Sequence, residues 1–485
     1  MTDAAPPERL AAYQRIGLAV GPLLFAVILL SPAPEGLSQA GWQVVAVAAL
    51  MAAWWATEAI PVPATSLLPI ILFPLLGVSS VDAASAPYSS SVIYLLLGGM
   101  MVALTLERWQ LHKRLALLIL ARVGDHPSAI IFGFMAATAA LSMWVSNTAA
   151  TMMMLPIAFS VSTVVMAEHG DDRRFAIALL LGIAYAASIG GLGTLVGTPP
   201  NALVAGYMRE TYGVEITFAQ WMLFGVPVVL CLTPAAWWVL TRWSFRLNLP
   251  ANPEAGAVIE RELAALGPIT TPERRTMMVF AVVAAAWVFN PLLRLLPGLS
   301  GLTDTGVAMA GALAVFLIPS GAAQSGFLMT WQSAVRVPWG VILLFGSGLS
   351  LAAMVSDTGL AHWVGNGLSG LATLPTLAVL AIVVTLVIFL TELTSNTGTT
   401  ATILPILGAL ATAGGFDPLL IAAPAALAAS CAFMLPVATA PNAVVYSAGF
   451  IRVPDMAQAG FRLNLLGIVV ITGLGYALAP VVFGP

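Results

Sequence analysis

Two twelve-residue stretches, SNTAATMMMLPI at 146–157 and SNTGTTATILPI at 395–406, lie in the middle of long apolar runs. Each is matched downstream by a second polar break in an apolar run. After the first comes Gly197-Thr198-Pro199-Pro200-Asn201, and after the second Ala438-Thr439-Ala440-Pro441-Asn442. Uncharged polar islands in hydrocarbon are costly unless they line a site. The four islands are therefore read as the site, and the rest of the chain as what positions them.

Composition supplies the setting. Of 485 residues 60% are hydrophobic and 8% charged, and mean hydropathy is +0.97. A soluble chain carries roughly 25% charge, so this composition predicts an all-α polytopic membrane protein. The formal charge of −3 says little, because in a membrane protein the distribution of charge matters and the sum does not. Cys231 and Cys431 both stand in apolar runs and read as buried small hydrophobes. Four His without metal-ligand spacing argue against a metalloenzyme, and no nucleic-acid partner is expected. Residues 1–14 are polar and lead straight into a long apolar run, unlike a secretory signal peptide.

Apolar runs of about 17–25 residues read as spans. They fall at 16–31, 41–57, 63–78, 91–107, 175–209 (broken), 219–241, 276–293, 305–319, 337–355, 418–450 (broken) and 459–482. The stretches 127–166 and 373–413 are too long for one straight crossing, and each reads as a helical hairpin with its Ser-Asn-Thr at the tip. Charge tests this arrangement through the positive-inside rule. With the N-terminus cytoplasmic and each hairpin returning to its own side, all the Lys and Arg from Arg9 to Arg462 face the cytoplasm except Arg209 and Arg294. A single crossing at 127–166 would move the Arg242–Arg275 cluster outside. The polar tips favour re-entrant hairpins. The first then enters from the cytoplasmic side and the second from the outer side, so the two halves are inverted. An inverted repeat with broken helices in corresponding positions points to a secondary transporter with its site at the midplane. The polar segment 243–275 reads as a solvated cytoplasmic linker with a short helix near 254–266. Residues 109–123 read as an interfacial amphipathic helix, with a counterpart at 357–371.

Ser, Asn and Thr are preferred N-cap residues, and a helix N-terminus is an anion site. Two tips meeting from opposite sides would clamp an anion without Lys or Arg. Asn147, Thr148, Asn396 and Thr397, with Thr198 and Thr439 from the broken spans, are the candidate substrate contacts. The half-helix before each tip ends in free carbonyls, and hydroxyls stand beside them: Ser142 and Ser146 in the first half, Thr391, Thr394 and Ser395 in the second. Gly197 and Ala438 open the downstream breaks, where a small side chain lets backbone oxygen approach. These residues are candidates for two Na⁺ sites, one per half. As a bland alternative, a lone Ser-Asn-Thr is an ordinary cap, and helix-internal hydroxyls such as Ser142, Thr391 and Thr394 commonly bond their own backbone. Glu392 is the one acid near an island. It reads as structural rather than as a proton carrier, because Met143 holds the matching place. Trp54, Trp55, Trp237, Trp238 and Trp243 suit interfacial belts.

The paired Ser-Asn-Thr motifs, the Gly-Thr-Pro-Pro-Asn and the Ala-Thr-Ala-Pro-Asn resemble those of the divalent anion/sodium symporter family of carboxylate transporters. The resemblance covers about 15–482. It implies eleven spans and two re-entrant hairpins, divided into scaffold and transport domains, a homodimer, and elevator-type movement. It also implies dicarboxylate cargo such as succinate, malate or fumarate, with citrate or sulfate in some branches. Carried over by motif, substrate residues fall on Asn147, Thr148, Thr198, Asn396, Thr397 and Thr439. Sodium residues fall on Ser142, Ser146, Asn147 and Gly197, and on Thr391, Thr394, Asn396 and Ala438.

The expectation is a Na⁺-coupled dicarboxylate symporter of the bacterial-type inner membrane, multi-pass, with no cofactor beyond Na⁺ as coupling ion, and not an enzyme. Its partners are a dicarboxylate anion, sodium ions, the lipid bilayer and a second copy of the chain. Its parts are scaffold spans and interfacial helix at 1–126, a first transport half at 127–242, the linker at 243–275, scaffold spans at 276–372 and a second transport half at 373–485. The alternatives are a Na⁺-independent dicarboxylate exchanger, citrate or sulfate as cargo, and, from another class, an integral membrane enzyme. An enzyme would show a charged catalytic cluster at a membrane face, and a channel a continuous polar stripe.

Overall fold

The computed structural model describes residues 11–168, 173–322, 325–367, 370 and 374–484. Arg9 and the expected boundary between 372 and 373 lie outside the described residues. The chain is mostly helical, and among the described residues eight helices are long and apolar enough to cross a membrane, as a multi-pass membrane protein requires. Both long Ser-Asn-Thr stretches fold as helix pairs, Pro127–Ser142 with Asn147–Glu168 and Thr376–Thr391 with Asn396–Gly414. The two broken spans are Arg174–Gly191 followed by Pro199–Tyr212, and Pro418–Ala429 followed by Ala440–Tyr446.

The centre is the helix Arg174–Gly191, in which every residue from Phe175 to Gly191 is buried. Its small residues allow this. A Cβ added at Gly190 would lie 2.3 Å from the Ala139 carbonyl oxygen, so the arm Pro127–Ser142 crosses it almost backbone to backbone. Ala12–Leu30 packs chiefly on Gln39–Thr57 and leaves most of its apolar surface exposed.

Several expectations change. The run 63–78 is not one helix but two pieces, Val62–Thr65 and Leu68–Leu75. Pro63, Pro69 and Pro74 remove backbone donors, and the Tyr88 hydroxyl donates to the freed Ser66 carbonyl. A short antiparallel β-hairpin, Pro319–Ala322 with Ser325–Phe327, follows the helix Asp304–Leu317, where an all-α chain is expected. Cys431 is buried but Cys231 is exposed, on the outward face of Phe218–Trp238. Trp55 is buried rather than interfacial, packed beside Gly398 at the second tip.

The linker is docked rather than solvated. Its helix Pro253–Ala265 buries Ala255, Val258 and Ile259 against Asn147–Glu168 and the helix Leu111–Leu120. Lys113 Nζ meets Glu262 at 3.0 Å, and Arg114 forks onto Glu273 at 2.8 and 3.2 Å. Burial alone would raise the Glu273 carboxyl. The Arg114 guanidinium and the Thr270 donors overcome it and hold the group below the ordinary glutamate range. That stabilisation is therefore present at neutral pH and lost as pH falls through the depressed value. Arg114 and Glu273 are 11% and 7% exposed, Lys113 and Glu262 29% and 38%. Arg114→Ala is expected to cost about 3 kcal/mol by stranding a buried acid, and Lys113→Ala less than about 1 kcal/mol. Thermal melts of the two variants in detergent check the difference.

Candidate functional site

The two tips repeat one another hydrogen bond by hydrogen bond. Ser146 Oγ accepts the Ala149 amide at 3.1 Å, and Ser395 Oγ the Gly398 amide at 3.5 Å. Each serine thus caps the helix that begins at the next residue. Ser142 Oγ donates to Asn147 Oδ1 at 2.6 Å, and Thr391 Oγ1 to Asn396 Oδ1 at 2.8 Å. One turn on, the Thr151 and Thr400 hydroxyls donate to the Asn147 and Asn396 carbonyls, each at 2.8 Å.

The breaks repeat as well. Thr198 and Thr439 stand before their half-helices with extended backbone, φ −147° and −142°. Asn201 Nδ2 donates to the carbonyls of Gly191 at 2.9 Å and Thr194 at 2.7 Å. Asn442 Nδ2 donates to those of Ala432 and Leu435, both at 3.0 Å. The Gly197 amide returns to Thr194 O at 3.3 Å and the Ala438 amide to Leu435 O at 3.2 Å. In each half one asparagine amide thus holds the unwound segment in shape. The Oδ1 atoms of Asn201 and Asn442 are both buried without a partner among the described residues.

Oxygen atoms converge where tip meets break. A Cβ on Gly191 would lie 2.9 Å from Asn147 Oδ1 and 3.1 Å from the Gly197 carbonyl oxygen, and one on Gly197 would lie 2.5 Å from the Gly191 carbonyl oxygen. Only glycine leaves that space open. In the second half Thr391 Oγ1 also lies 2.7 Å from Ala429 O, its single proton shared between that carbonyl and Asn396 Oδ1, which ties the tip to the break. Thr198 Oγ1 lies 3.5 Å from Ser430 Oγ, so the breaks of the two halves touch. Thr148 is half-buried and Thr397 buried, each directly after its tip asparagine. Thr394 turns its hydroxyl onto the Leu390 carbonyl at 3.0 Å and onto Thr399.

The two halves are interlocked. The half-helix Pro199–Tyr212 packs on the second tip helix, Asn396–Gly414, and Ala440–Tyr446 packs on the first, Asn147–Glu168. Of the predicted residues, the structure brings Ser142 to Asn147, Thr391 to Asn396, and Asn147 and Gly197 together beside Gly191.

Sequence reading did not assign roles to Gly191, Asn201 and Asn442, although the shared Pro-Asn spacing was a signal for the two asparagines. Nor did it find the partners of Glu392. That carboxylate accepts from the Phe433 amide at 2.7 Å, the Met434 amide at 3.0 Å to both oxygens, the Leu435 amide at 3.3 Å and Asn464 Nδ2 at 2.7 Å.

Known proteins resemble the chain along nearly its whole length. A family described as the sodium:sulfate symporter transmembrane region matches residues 14–484. A protein of Staphylococcus saprophyticus named sodium-dependent dicarboxylate transporter SdcS is 42% identical over 479 residues, covering 97% of this chain and 92% of that protein. Its namesake in Staphylococcus aureus is 40% identical over 482 residues, covering 98% and 93%. The solved structure of the YdaH transporter of Alcanivorax borkumensis shares the fold, with a TM-score of 0.58 at 15% identity over 96% of each chain.

Proposed function

The chain belongs to the sodium:sulfate symporter family, and from that premise we propose that it is a Na⁺-coupled symporter of dicarboxylates. The relatives named sodium-dependent dicarboxylate transporter supply the cargo class. The observation that carries the mechanism is the matched pair of hydroxyl–asparagine contacts, Ser142–Asn147 and Thr391–Asn396.

Each contact holds two oxygen atoms side by side at hydrogen-bond distance, and a small opening of the pair would set both around one small cation. The hydroxyl proton need only rotate away for both to face Na⁺. Ser142, Ser146, Asn147 and Gly197 form the first Na⁺ site in this reading, and Thr391, Thr394, Asn396 and Ala438 the second. Hard cations take such oxygen sets. The helix N-termini at Asn147 and Asn396 then present amides and positive dipole ends to the dianion, with Thr148, Thr397, Thr198 and Thr439 as hydroxyl contacts. Sodium beside each tip offsets the cost of desolvating the anion, so Na⁺ binds first.

The repeated bonding of tips and breaks supports an inverted repeat, with re-entrant hairpins at the two tips. The transport parts are 127–242 and 373–485, and the scaffold 1–126 and 276–372. The transport parts move as one body against a scaffold dimer in an elevator motion. The N-terminus is cytoplasmic and the membrane is the inner one.

Uptake of radiolabelled succinate into proteoliposomes with empty lumens, under an inward Na⁺ gradient against a K⁺ control, tests the function. Na⁺-dependent uptake is expected. Uptake only when succinate is preloaded inside would make the protein an exchanger, and flux of citrate or sulfate alone would move the cargo.

A further inference from the structure

Asp304 is a charged side chain that bonds across the boundary between the two bodies. Asp304 opens the scaffold helix Asp304–Leu317, and its Oδ2 accepts the Phe218 amide at 2.7 Å. Phe218 opens the transport helix Phe218–Trp238, capped by Thr217. The same pair is fixed by rings. Phe218 stacks on scaffold Trp287 with centroids 4.5 Å apart and planes 11° apart, and Trp287 Nε1 donates to the Asp304 carbonyl at 2.9 Å. Trp144, at the first tip, stacks on Phe218 at 6.0 Å and meets scaffold Phe280 edge-on at 5.1 Å. The other oxygen, Asp304 Oδ1, is buried without a partner among the described residues. A carboxylate placed there has a half-spent bonding capacity and one recorded donor, the amide across the boundary.

We propose that Asp304 is a positioning residue for transport: its carboxylate clasps the Phe218 amide and holds the transport body in the position seen here. The inference rests on the division into scaffold and transport bodies given above. A carboxylate accepting a backbone N–H is among the stronger single contacts two bodies can make, yet it is one bond and leaves cleanly when the bodies slide. The ring stack supplies area without direction, and the clasp supplies register. Loss of the clasp therefore shifts the balance between transport states without touching either Na⁺ site.

A reporter exists across the same boundary. Ser90 Oγ of the scaffold donates to Glu210 Oε1 of the transport body at 2.8 Å. Ser90→Cys with Glu210→Cys, in a transporting Cys231→Ser, Cys431→Ala background, gives a pair that a short thiol-bridging reagent joins in this position. The rate of joining is measured in proteoliposomes with and without Na⁺ and succinate. Asp304→Ala is expected to slow joining about tenfold, the size of one hydrogen bond to a charged group, and Asp304→Asn, which keeps an acceptor, by less. Phe218→Pro removes the amide donor at a helix position that suits proline and also the ring stacked on Trp287, so it is expected to slow joining further than Asp304→Ala does. A joining rate that responds to Na⁺ and succinate but not to any Asp304 variant overturns the clasp. A rate in the unaltered pair that ignores both solutes overturns the two-body reading instead.

Discussion

Asn396→Ala abolishes Na⁺-driven succinate uptake, a fall of at least about a hundredfold by the scale of lost ligands at ion sites, while the protein still folds and inserts. Both halves of that expectation come from the hydrogen bonds at the second tip. Asn396 Oδ1 is the side-chain oxygen paired with Thr391 Oγ1, and it stands between the proposed cation and the helix N-terminus proposed to receive the anion. Alanine removes that oxygen from the ion and the amide from the substrate at once. The fold tolerates the change because Thr391 Oγ1 keeps its second partner, the Ala429 carbonyl, and Ser395 still caps the helix. Asn147→Ala is expected to be equally inactive but less stable, since its loss takes away the recorded partner of the buried Ser142 hydroxyl. The measurement is proteoliposome uptake normalised to protein of verified orientation, with thermal melts beside it. Wild-type uptake by correctly inserted Asn396→Ala would remove the assignment of both tips.

The tips and breaks were legible in the sequence because they violate a strong rule. Polar residues and prolines in the middle of 40-residue apolar runs have few structural explanations, and the two copies constrain one another. The serine caps follow from residue type alone. What stayed hidden depended on tertiary contact. The docking of the linker turns on Arg114 meeting Glu273 across 159 positions, and no local pattern encodes that pairing. The interlocking of Pro199–Tyr212 with the second tip helix is likewise a matter of packing between halves. Trp55 looked interfacial because aromatic residues near span ends usually are, and its burial beside Gly398 follows from a neighbour that sequence order does not supply. The break in 62–75 was within reach, since three prolines in twelve positions, 63, 69 and 74, are hard to fit in one helix. The apolar run outweighed them.

Glu392→Leu is expected to unfold the second break. The first break is wound tightly enough to satisfy amides at its start, with Leu192 and Gly193 turning back to the carbonyls of Ile189 and Gly190. Met143 can then occupy the matching place, closely packed over Gly193. The second break is more open. The amides of Phe433, Met434 and Leu435 and the side chain of Asn464 converge on the Glu392 carboxylate. Leucine leaves four donors without acceptors in an apolar interior. Each costs about 1–3 kcal/mol, and even with relaxation the sum exceeds about 4 kcal/mol, enough to lower the melting temperature by roughly 5 °C or more. Glu392→Gln separates this reading from a proton carrier. Its oxygen keeps some of the donors, but its NH₂ faces the rest, so an intermediate loss of stability is expected, with Na⁺-driven uptake per folded molecule largely retained. A proton carrier would show the reverse, with Gln leaving the melt unchanged and removing a proton-dependent component of uptake. Melts and uptake on the same Glu392→Gln preparation decide between an acid that carries charge through the cycle and one that holds an unwound helix open.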